Sequence, residues 1–208
     1  MISYKNKFIF IHIPKNGGSS INKMLRPFVE GNDPETYLLE GYSQQKQIHY
    51  QHITMPQIHE HYPQIDTKEY FKFCFIRNPW DRAVSDWLWM KVDRGLPNAT
   101  LKDYLRESNG FEKFTHTHNY DGRGDHFIPQ TNFFLDENGN ELVDFVGRFE
   151  NLSRECCTIL ECLNLPPTML PHINATKRKH YSEYYTNETR MLVANKYAAD
   201  IEYGKYKF

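Results

Sequence analysis

Two apolar stretches, each followed by a segment with helical periodicity, dominate the pattern of hydrophobic and polar positions. The first, "FIFIHI" at residues 8–13, is a nearly continuous run of β-forming residues, which is typical of a strand buried on both faces. The second, at residues 69–76, has the same character, and Pro79 after it suits the first turn of a helix. The pattern therefore predicts two strand-to-helix units.

Shorter elements are predicted around these two units. They are a strand at residues 48–53, a brief helix capped by Thr54, a turn at 136–140, a strand at 142–149, a helix starting at Asn151 or Ser153, and a final helix from Thr186 to about Gly204. Residues 26–47 predict a long irregular connection. Strands that alternate with helices predict an α/β protein of three layers, in which helices flank a central, mainly parallel sheet.

Length and charge favour one domain without a global affinity for polyanions. The chain has 208 residues, enough for one substantial core, so we expect a single domain over residues 1–208. Lys and Arg total 25 and Asp and Glu total 26, so the formal net charge of -1 indicates neither a nucleic-acid-binding protein nor a membrane-surface protein.

Segments for targeting, membrane insertion or disulfide bonding are not evident. No apolar run approaches the length of a membrane span, and no signal-like segment begins the chain, so we expect a cytoplasmic protein that does not span a membrane. A luminal enzyme without its anchor would have the same features. Four cysteines without a CxxC pair do not indicate a disulfide framework.

The segment "PKNGGSS" after the first strand has the composition of an anion-binding loop. Gly17 and Gly18 permit backbone torsions that other residues avoid, and Ser19 or Ser20 is expected to cap the following helix. Backbone N–H groups and the helix dipole attract an anion at such a helix start, and Lys15 adds a full positive charge. The loop is not a Walker A sequence, because its lysine precedes the glycines. An ordinary turn with a surface lysine is the structural alternative.

The order of lysine and glycines resembles the 5′-phosphosulfate-binding loop of the sulfotransferases, particularly the carbohydrate group, whose loops look like "IPKTGGTS". A second segment, "FCFIRNPWDRAVSDW", resembles the 3′-phosphate-binding element of that family, in which an arginine ends a strand and a serine follows on the next helix. These residues are Arg77 and Ser85 here. Arginine suits this role because its planar guanidinium can hold two phosphate oxygens. Alternatively, Arg77 is a structural ion-pair partner of Asp81 or Asp86.

Three further segments extend the resemblance over most of the chain. "VGRFENL" is similar to the strand-to-helix corner whose aromatic residue, here Phe149, lies near the adenine. "HFIPQ" at residues 126–130 resembles the His-aromatic-x-Pro-Gln element of the carbohydrate enzymes. Residues 170–189 resemble their basic tail, so Lys177 and Arg178, with Lys179, are expected to cover the 3′-phosphate; a solvated run of charges is the alternative.

The resemblance, to the family 2 type of sulfotransferase, implies a P-loop-like fold and a defined reaction. The protein would move a sulfuryl group from 3′-phosphoadenosine 5′-phosphosulfate to a hydroxyl, with a carbohydrate as the expected acceptor, and would release 3′-phosphoadenosine 5′-phosphate. Lys15 would stabilise the leaving group and therefore be catalytic. The residues expected to bind the nucleotide are Lys15, Asn16, Gly17, Gly18, Ser19, Ser20, Arg77, Ser85, Phe149, Lys177 and Arg178.

A histidine is expected to take the proton of the acceptor hydroxyl, because imidazole titrates near neutral pH. His52 is the first candidate for this catalytic role, since "QHIT" resembles the "GHLS"-type segment that carries the base in related enzymes, and His49 and His126 are alternatives. His49 with His52, or His116 with His118, could instead bind a metal, but no carboxylate or cysteine completes a ligand pattern. No metal is therefore expected.

Two other functions share part of this chemistry. A nucleotide or small-molecule kinase with an atypical phosphate loop would use the same strand-loop-helix unit, although a Gly-Lys-Ser/Thr sequence and an evident Mg²⁺-binding aspartate at a strand end are lacking. A non-catalytic module that binds the nucleotide or a glycan is the second alternative. The expected partner is a glycan or another hydroxyl-bearing acceptor, not nucleic acid.

Overall fold

The computed structural model describes residues 1–29, 41–43, 45, 48–93, 98, 100–102, 124–171 and 178–208. The chain forms two compact units and contributes two segments to each. The first unit comprises Met1–Ile76 and Asn132–Ala175, and the second comprises Arg77–Thr131 and Thr176–Phe208. Most of the predicted connection at residues 26–47 lies outside the described residues.

The first unit contains a four-stranded, mainly parallel sheet. The strands of the protein are β1 (Ile2–Ser3), β2 (Phe8–Ile11), β3 (Tyr42–Ser43), β4 (Ile48–His49), β5 (Phe71–Ile76) and β6 (Phe145–Arg148). The four-stranded sheet has the order β1-β2-β5-β6, with β2, β5 and β6 parallel and β1 antiparallel to β2. Strands β3 and β4 form a separate antiparallel pair. The predicted mixed α/β class and the mainly parallel sheet are confirmed.

Six α-helices lie within the described residues. They are α1 (Gly18–Leu25), α2 (Met55–His61), α3 (Pro79–Asp93), α4 (Leu152–Cys162), α5 (Asn187–Lys196) and α6 (Ala198–Gly204). Thr54 caps α2 as predicted: its hydroxyl accepts the Gln57 N–H at 3.2 Å, and its own N–H donates to the Gln57 side chain at 3.0 Å. Thr186 caps α5 in the same way. The single final helix predicted from Thr186 is divided at Tyr197.

Phenylalanines of β2 and β5 form the centre of the core in the first unit. Phe8 and Phe10 pack with Phe73 and Phe75, and all four are at most 2% exposed. Side chains alternate between the faces of a strand, so these rings share one face, which residues of α1 and α4 cover. Complete burial of each ring contributes about 1.5–3 kcal/mol. Every residue of β2 is buried, as its continuous apolar sequence predicts.

The second unit has its own core, formed by aromatic and aliphatic side chains of α3 and α5. Trp80, Val84 and Trp87 of α3 pack with Val193 of α5 and with Tyr197. The indole N–H of Trp80 donates to the Arg190 carbonyl at 3.0 Å, which satisfies the one polar group of this buried side chain.

Some predicted strands are shorter than expected. The strand predicted at residues 48–53 ends after His49, and Tyr50–His52 forms a 3₁₀ turn, so the prediction of a strand through residue 53 is wrong. Its partner β3 offers only two residues for pairing, after which the chain turns into α2. The strand predicted at 142–149 is reduced to β6, whereas the turn before it forms around the Asp136 carboxylate, which accepts three hydrogen bonds from Asn138 and Asn140.

All four cysteines are free thiols, with Cys74 and Cys156 buried and Cys157 and Cys162 exposed. Burial raises the pKa of Cys156 to about 12 and raises the pKa of Cys74 as well. Both buried thiols therefore stay protonated near neutral pH. Among the described residues, no helix has both the length and the hydropathy of a membrane span.

Candidate functional site

The loop that follows β2 enters α1 through two residues in the left-handed region. Lys15 has a φ of 70° and Gly17 a φ of 82°. Gly17 is the N-cap of α1, and its carbonyl accepts the N–H groups of Ser20 at 3.0 Å and Ile21 at 3.2 Å. The predicted capping by Ser19 or Ser20 is wrong, because the left-handed glycine turns the chain earlier and both serines lie inside the helix.

The start of α1 has the backbone geometry of an anion site. The first N–H groups of a helix have no acceptor within the helix, and the helix dipole places partial positive charge there. Left-handed residues in the preceding loop also allow neighbouring N–H groups to converge. The charged side chain of Lys15 is partly buried in this loop, and Ser19 is exposed at the first turn. The segment can therefore attract a phosphate or sulfate group.

Tight packing fixes the two loop glycines. A Cβ atom on Gly18 would lie 2.0 Å from the imidazole of His12, and one on Gly17 would lie 2.6 Å from Leu152 and 3.4 Å from the ring of Phe149. Phe149, predicted to lie near the adenine, is thus placed beside the loop. Only glycine fits at Gly18, for a reason of space rather than of backbone torsion.

Asn16 has a structural role that the sequence did not indicate. Its side chain is 2% exposed, and its Nδ2 donates to the Phe75 carbonyl at 2.6 Å. This bond ties the loop to the end of the neighbouring strand β5. Asn16 was expected to bind the nucleotide, and its side chain instead bonds to the backbone of β5.

His52 lies next to His12 in the first unit. Its ring meets the His12 ring edge-on, with centroids 4.9 Å apart, and its Nε2 is 2.9 Å from the Gln51 Nε2. Because His12 also underlies Gly18, the two rings connect His52 to the start of α1. In the sequence, His12 is the polar residue that interrupts the apolar run at residues 8–13. That interruption is the signal that could have indicated its contacts with His52 and Gly18. His49 lies in β4, opposite Tyr42.

In the second unit, Asp81 holds two arginine side chains. The Arg77 guanidinium donates from Nε at 2.9 Å and contacts the same carboxylate through NH2 at 2.7 Å. Arg178 contacts the other carboxylate oxygen. The Arg77 side chain is 6% exposed, so two guanidinium groups and a carboxylate meet in a nearly buried cluster. The pairing of Arg77 with Asp81, offered above as a structural alternative, is present.

The other residues predicted to bind the 3′-phosphate have different surroundings or lie outside the described residues. Ser85 is partly buried on α3. Lys179 is exposed and lies 3.6 Å from Glu183. Lys177 lies outside the described residues, as do His116 and His118. The structure therefore brings Arg77 and Arg178 together through Asp81, a residue that the sequence offered only as an ion-pair partner.

The backbone of Arg77 is also hydrogen-bonded to the side chain of the buried residue Gln130. The Gln130 Oε1 accepts the Arg77 N–H at 2.9 Å, and the Gln130 Nε2 donates to the Arg77 carbonyl at 2.9 Å. Asp200 in turn accepts hydrogen bonds from the Gln130 N–H at 2.9 Å and the Thr131 N–H at 3.0 Å. Neither Gln130 nor Asp200 was expected to influence the site.

His126 forms a buried pair with Asp86 in the same unit. Its Nδ1 lies 2.7 Å from the Asp86 carboxylate, and the Trp89 ring stacks on the imidazole with centroids 5.5 Å apart. Arg82 donates to the backbone carbonyls of His126 and Ile128, each at 3.0 Å. The "HFIPQ" segment is therefore anchored by charged side chains, and the carboxylate fixes the orientation of the imidazole.

Comparison with known proteins identifies one family. A family model described as "Sulfotransferase family" matches residues 1–207. A protein of Archaeoglobus fulgidus described as "Uncharacterized protein" is 26% identical to the chain over 113 residues, which are 54% of this chain and 82% of that protein. No solved structure matches the chain.

Proposed function

Because the chain belongs to the sulfotransferase family, we propose that it transfers a sulfuryl group from 3′-phosphoadenosine 5′-phosphosulfate to a hydroxyl of a carbohydrate. The match spans residues of both compact units, which supports one sulfotransferase domain made of the whole described chain. The three-layer, P-loop-like arrangement implied by the sequence belongs to the same proposal.

The observation that carries this proposal is the pairing of β2 with β5. These strands are parallel neighbours, with Ile11 opposite Cys74. The loop of Lys15 follows β2, and Arg77 is the residue directly after Ile76, the last residue of β5. Ligands of open α/β sheets bind beyond the carboxyl ends of the strands. An anion-binding segment at the end of β2 therefore suits the phosphosulfate group of the donor, and the resemblance assigns the 3′-phosphate to the segment that begins at Arg77.

The residues of the first unit would hold the reacting end of the donor. The N–H groups of Gly17, Gly18, Ser19 and Ser20 would hold the 5′-phosphosulfate, and Phe149 beside the loop would contact the adenine. Lys15 would stabilise the negative charge that grows on the leaving oxygen, and removal of one such preorganised contact typically costs on the order of a hundredfold or more in rate. The bound donor supplies the activated sulfuryl group.

The residues of the second unit would hold the other phosphate. Arg77 would contact the 3′-phosphate together with Ser85, and Lys177 and Arg178 would cover it, in the manner that the family resemblance implies. The Asp81 cluster supports this role because it brings two guanidinium groups to one carboxylate. Lysine and arginine side chains supply the positive charge that this chemistry needs, so the proposal requires no metal ion.

His52 would take the proton from the acceptor hydroxyl. Its support is its contact with His12, whose ring underlies Gly18 at the start of α1. A base must lie within hydrogen-bond reach of the proton that it removes, and the loop is where the reacting group would be bound. His49 is the alternative base, and His126, oriented by Asp86, is proposed to contact the acceptor.

The proposal is tested by incubating the protein with a donor that carries radiolabelled sulfate and a panel of saccharides. We expect label on at least one saccharide, in an amount equal to the 3′-phosphoadenosine 5′-phosphate formed. Lys15→Ala should remove this activity, and Lys23→Ala, a change of the same type at an exposed position of α1, should retain it. Binding of the product nucleotide without donor consumption for any acceptor would favour the non-catalytic module instead.

A further inference from the structure

Arg77 lies between a strand and a helix. It follows the last residue of β5, and the next residue, Asn78, caps α3 by accepting the Trp80 N–H at 3.0 Å. Backbone N–H and carbonyl groups that are buried require hydrogen-bond partners. A buried residue at such a junction therefore needs a partner for its N–H group and another for its carbonyl group.

The side chain of Gln130 provides both partners at once. Its amide pairs with the Arg77 N–H and carbonyl through two hydrogen bonds of 2.9 Å, in the way that a neighbouring strand would. Gln130 is 1% exposed, and 53 residues separate it from Arg77 in the sequence. This pairing fixes the backbone of Arg77 and thereby the direction in which its side chain leaves the main chain.

A buried carboxylate holds Gln130 in this position. Asp200 is 2% exposed and accepts the Gln130 N–H at 2.9 Å, the Gln130 Nε2 at 3.3 Å, and the Thr131 N–H and hydroxyl at 3.0 and 3.1 Å. Burial of a carboxylate is costly unless hydrogen bonds satisfy its oxygens. Apolar side chains could fill the same space without the cost of burying a charge. A polar connection that ends at the backbone of Arg77 indicates that this backbone must be held in one orientation.

We infer that Gln130, supported by Asp200, is a positioning residue that aims the Arg77 guanidinium at the 3′-phosphate of the nucleotide. The inference rests on the proposed function, because it takes Arg77 as the 3′-phosphate ligand. Asp81 orients the guanidinium group of Arg77, and Gln130 orients the backbone from which this side chain extends. A guanidinium that binds two phosphate oxygens tolerates little misalignment, so loss of the Gln130 pairing should weaken the contact with the 3′-phosphate.

The test compares two nucleotides that differ only in the 3′-phosphate. Calorimetry gives the dissociation constants of 3′-phosphoadenosine 5′-phosphate and adenosine 5′-phosphate, and their ratio measures what the 3′-phosphate contributes. In Gln130→Met, which has similar length and no hydrogen-bonding amide, we expect this ratio to fall about tenfold, while the affinity for adenosine 5′-phosphate changes less than about twofold. A purely structural role would weaken both nucleotides alike. Gln64→Met, at an exposed position, is the matched control and should bind as the wild type does.

The possible outcomes separate the inference from the proposed function. If the wild-type protein does not prefer the 3′-phosphorylated nucleotide, the donor assignment fails, and this inference fails with it. If the wild type shows the preference and folded Gln130→Met retains it in full, the inference alone is wrong. Should the variant not fold, hydrogen exchange of the wild-type Arg77 amide decides: slow exchange supports the pairing, and exchange at the rate of an open loop overturns it.

Discussion

Lys15 combines a backbone conformation that is unfavourable for lysine with the charge that the proposed reaction needs. Its φ of 70° costs a non-glycine residue on the order of 1 kcal/mol. Strained residues of this kind are enriched at functional sites. Selection for stability alone would favour glycine at this position. The presence of lysine is therefore best explained by a requirement for its charged side chain.

Two substitutions of Lys15 separate its backbone from its side chain. Lys15→Gly and Lys15→Ala should both lose sulfuryl transfer by about a hundredfold or more. The free energy of unfolding should nevertheless be higher for Lys15→Gly than for Lys15→Ala, by up to about 1 kcal/mol, because only glycine relieves the left-handed strain. Urea unfolding measures the difference. Equal stability of the two variants would show that the backbone at Lys15 is not strained.

His52 can be tested by separating turnover from nucleotide binding. His52→Ala should lower kcat by about a hundredfold or more, which is within the range for loss of a general base. Its affinity for 3′-phosphoadenosine 5′-phosphate should stay within about twofold of the wild-type value, since the base acts on the acceptor. His59→Ala, at an exposed position of the same unit, is the control. Turnover of His52→Ala close to the wild-type rate would transfer the base role to another histidine.

At the scale of elements, the packing at the start of α1 makes a specific demand on Gly18. A Cβ atom there would lie 2.0 Å from the His12 ring, so Gly18→Ala must displace either the imidazole or the helix start. We expect a loss of stability of about 1–3 kcal/mol, as is typical of overpacking, and a weaker affinity for the nucleotide. Thermal unfolding and calorimetry measure both effects.

A serine in the same helix provides the control for Gly18. Ser19→Ala changes an exposed side chain that does not cap α1, so it should leave stability within about 0.5 kcal/mol of the wild type. A Gly18→Ala variant as stable as Ser19→Ala would contradict the close contact between Gly18 and His12.

The sequence was informative where local chemistry determines an element. The β-rich runs before the loop of Lys15 and before Arg77 form β2 and β5, and Thr54 and Thr186 cap their helices as predicted. The capping of α1 was predicted incorrectly, because a left-handed glycine and a serine side chain are alternative ways to begin a helix. The turn at His52 was missed for a different reason, since the length of β4 depends on the short partner strand β3.

The parts of the site that depend on distant residues could not be predicted. Gln130 and Asp200 reach Arg77 and Gln130 across 53 and 70 positions of sequence, and no local pattern links them. The contact of His12 with His52 likewise arises only when β2 and the turn at residues 50–52 are folded together. Sequence motifs predicted roles for Lys15 and Arg77, and the residues that hold Arg77 became evident only from the fold.

At the scale of the whole molecule, Lys196 links stability to pH. Burial, and to a lesser extent the charge of Arg82, lowers the pKa of Lys196 from its ordinary value of 10.5 to about 7. Its ammonium lies 5.9 Å from the ring centre of Phe127 and 5.8 Å from that of Tyr197. Between pH 7 and 10.5 the unfolded chain therefore binds a proton at Lys196 that the folded chain does not bind.

This difference has a definite sign. Because the unfolded state holds the extra proton, the contribution of Lys196 to stability rises from pH 7 to pH 10.5 and is least favourable below pH 7. Lys196→Met should therefore stabilise the protein most at pH 6, and the gain should shrink as the pH approaches 10. Urea unfolding at several pH values measures it, with Lys5→Met, at an exposed position, as the control. A gain that does not vary with pH would contradict the lowered pKa.

The most direct measurement of the central claim offers the protein two donors in parallel and identifies the nucleotide product. One reaction contains 3′-phosphoadenosine 5′-phosphosulfate and the other contains ATP with Mg²⁺, each with the saccharide panel. The account predicts that 3′-phosphoadenosine 5′-phosphate accumulates in the first reaction together with a sulfated saccharide, that no phosphorylated product forms in the second, and that Lys15→Ala abolishes the first. Phosphoryl transfer from ATP without sulfuryl transfer would contradict it.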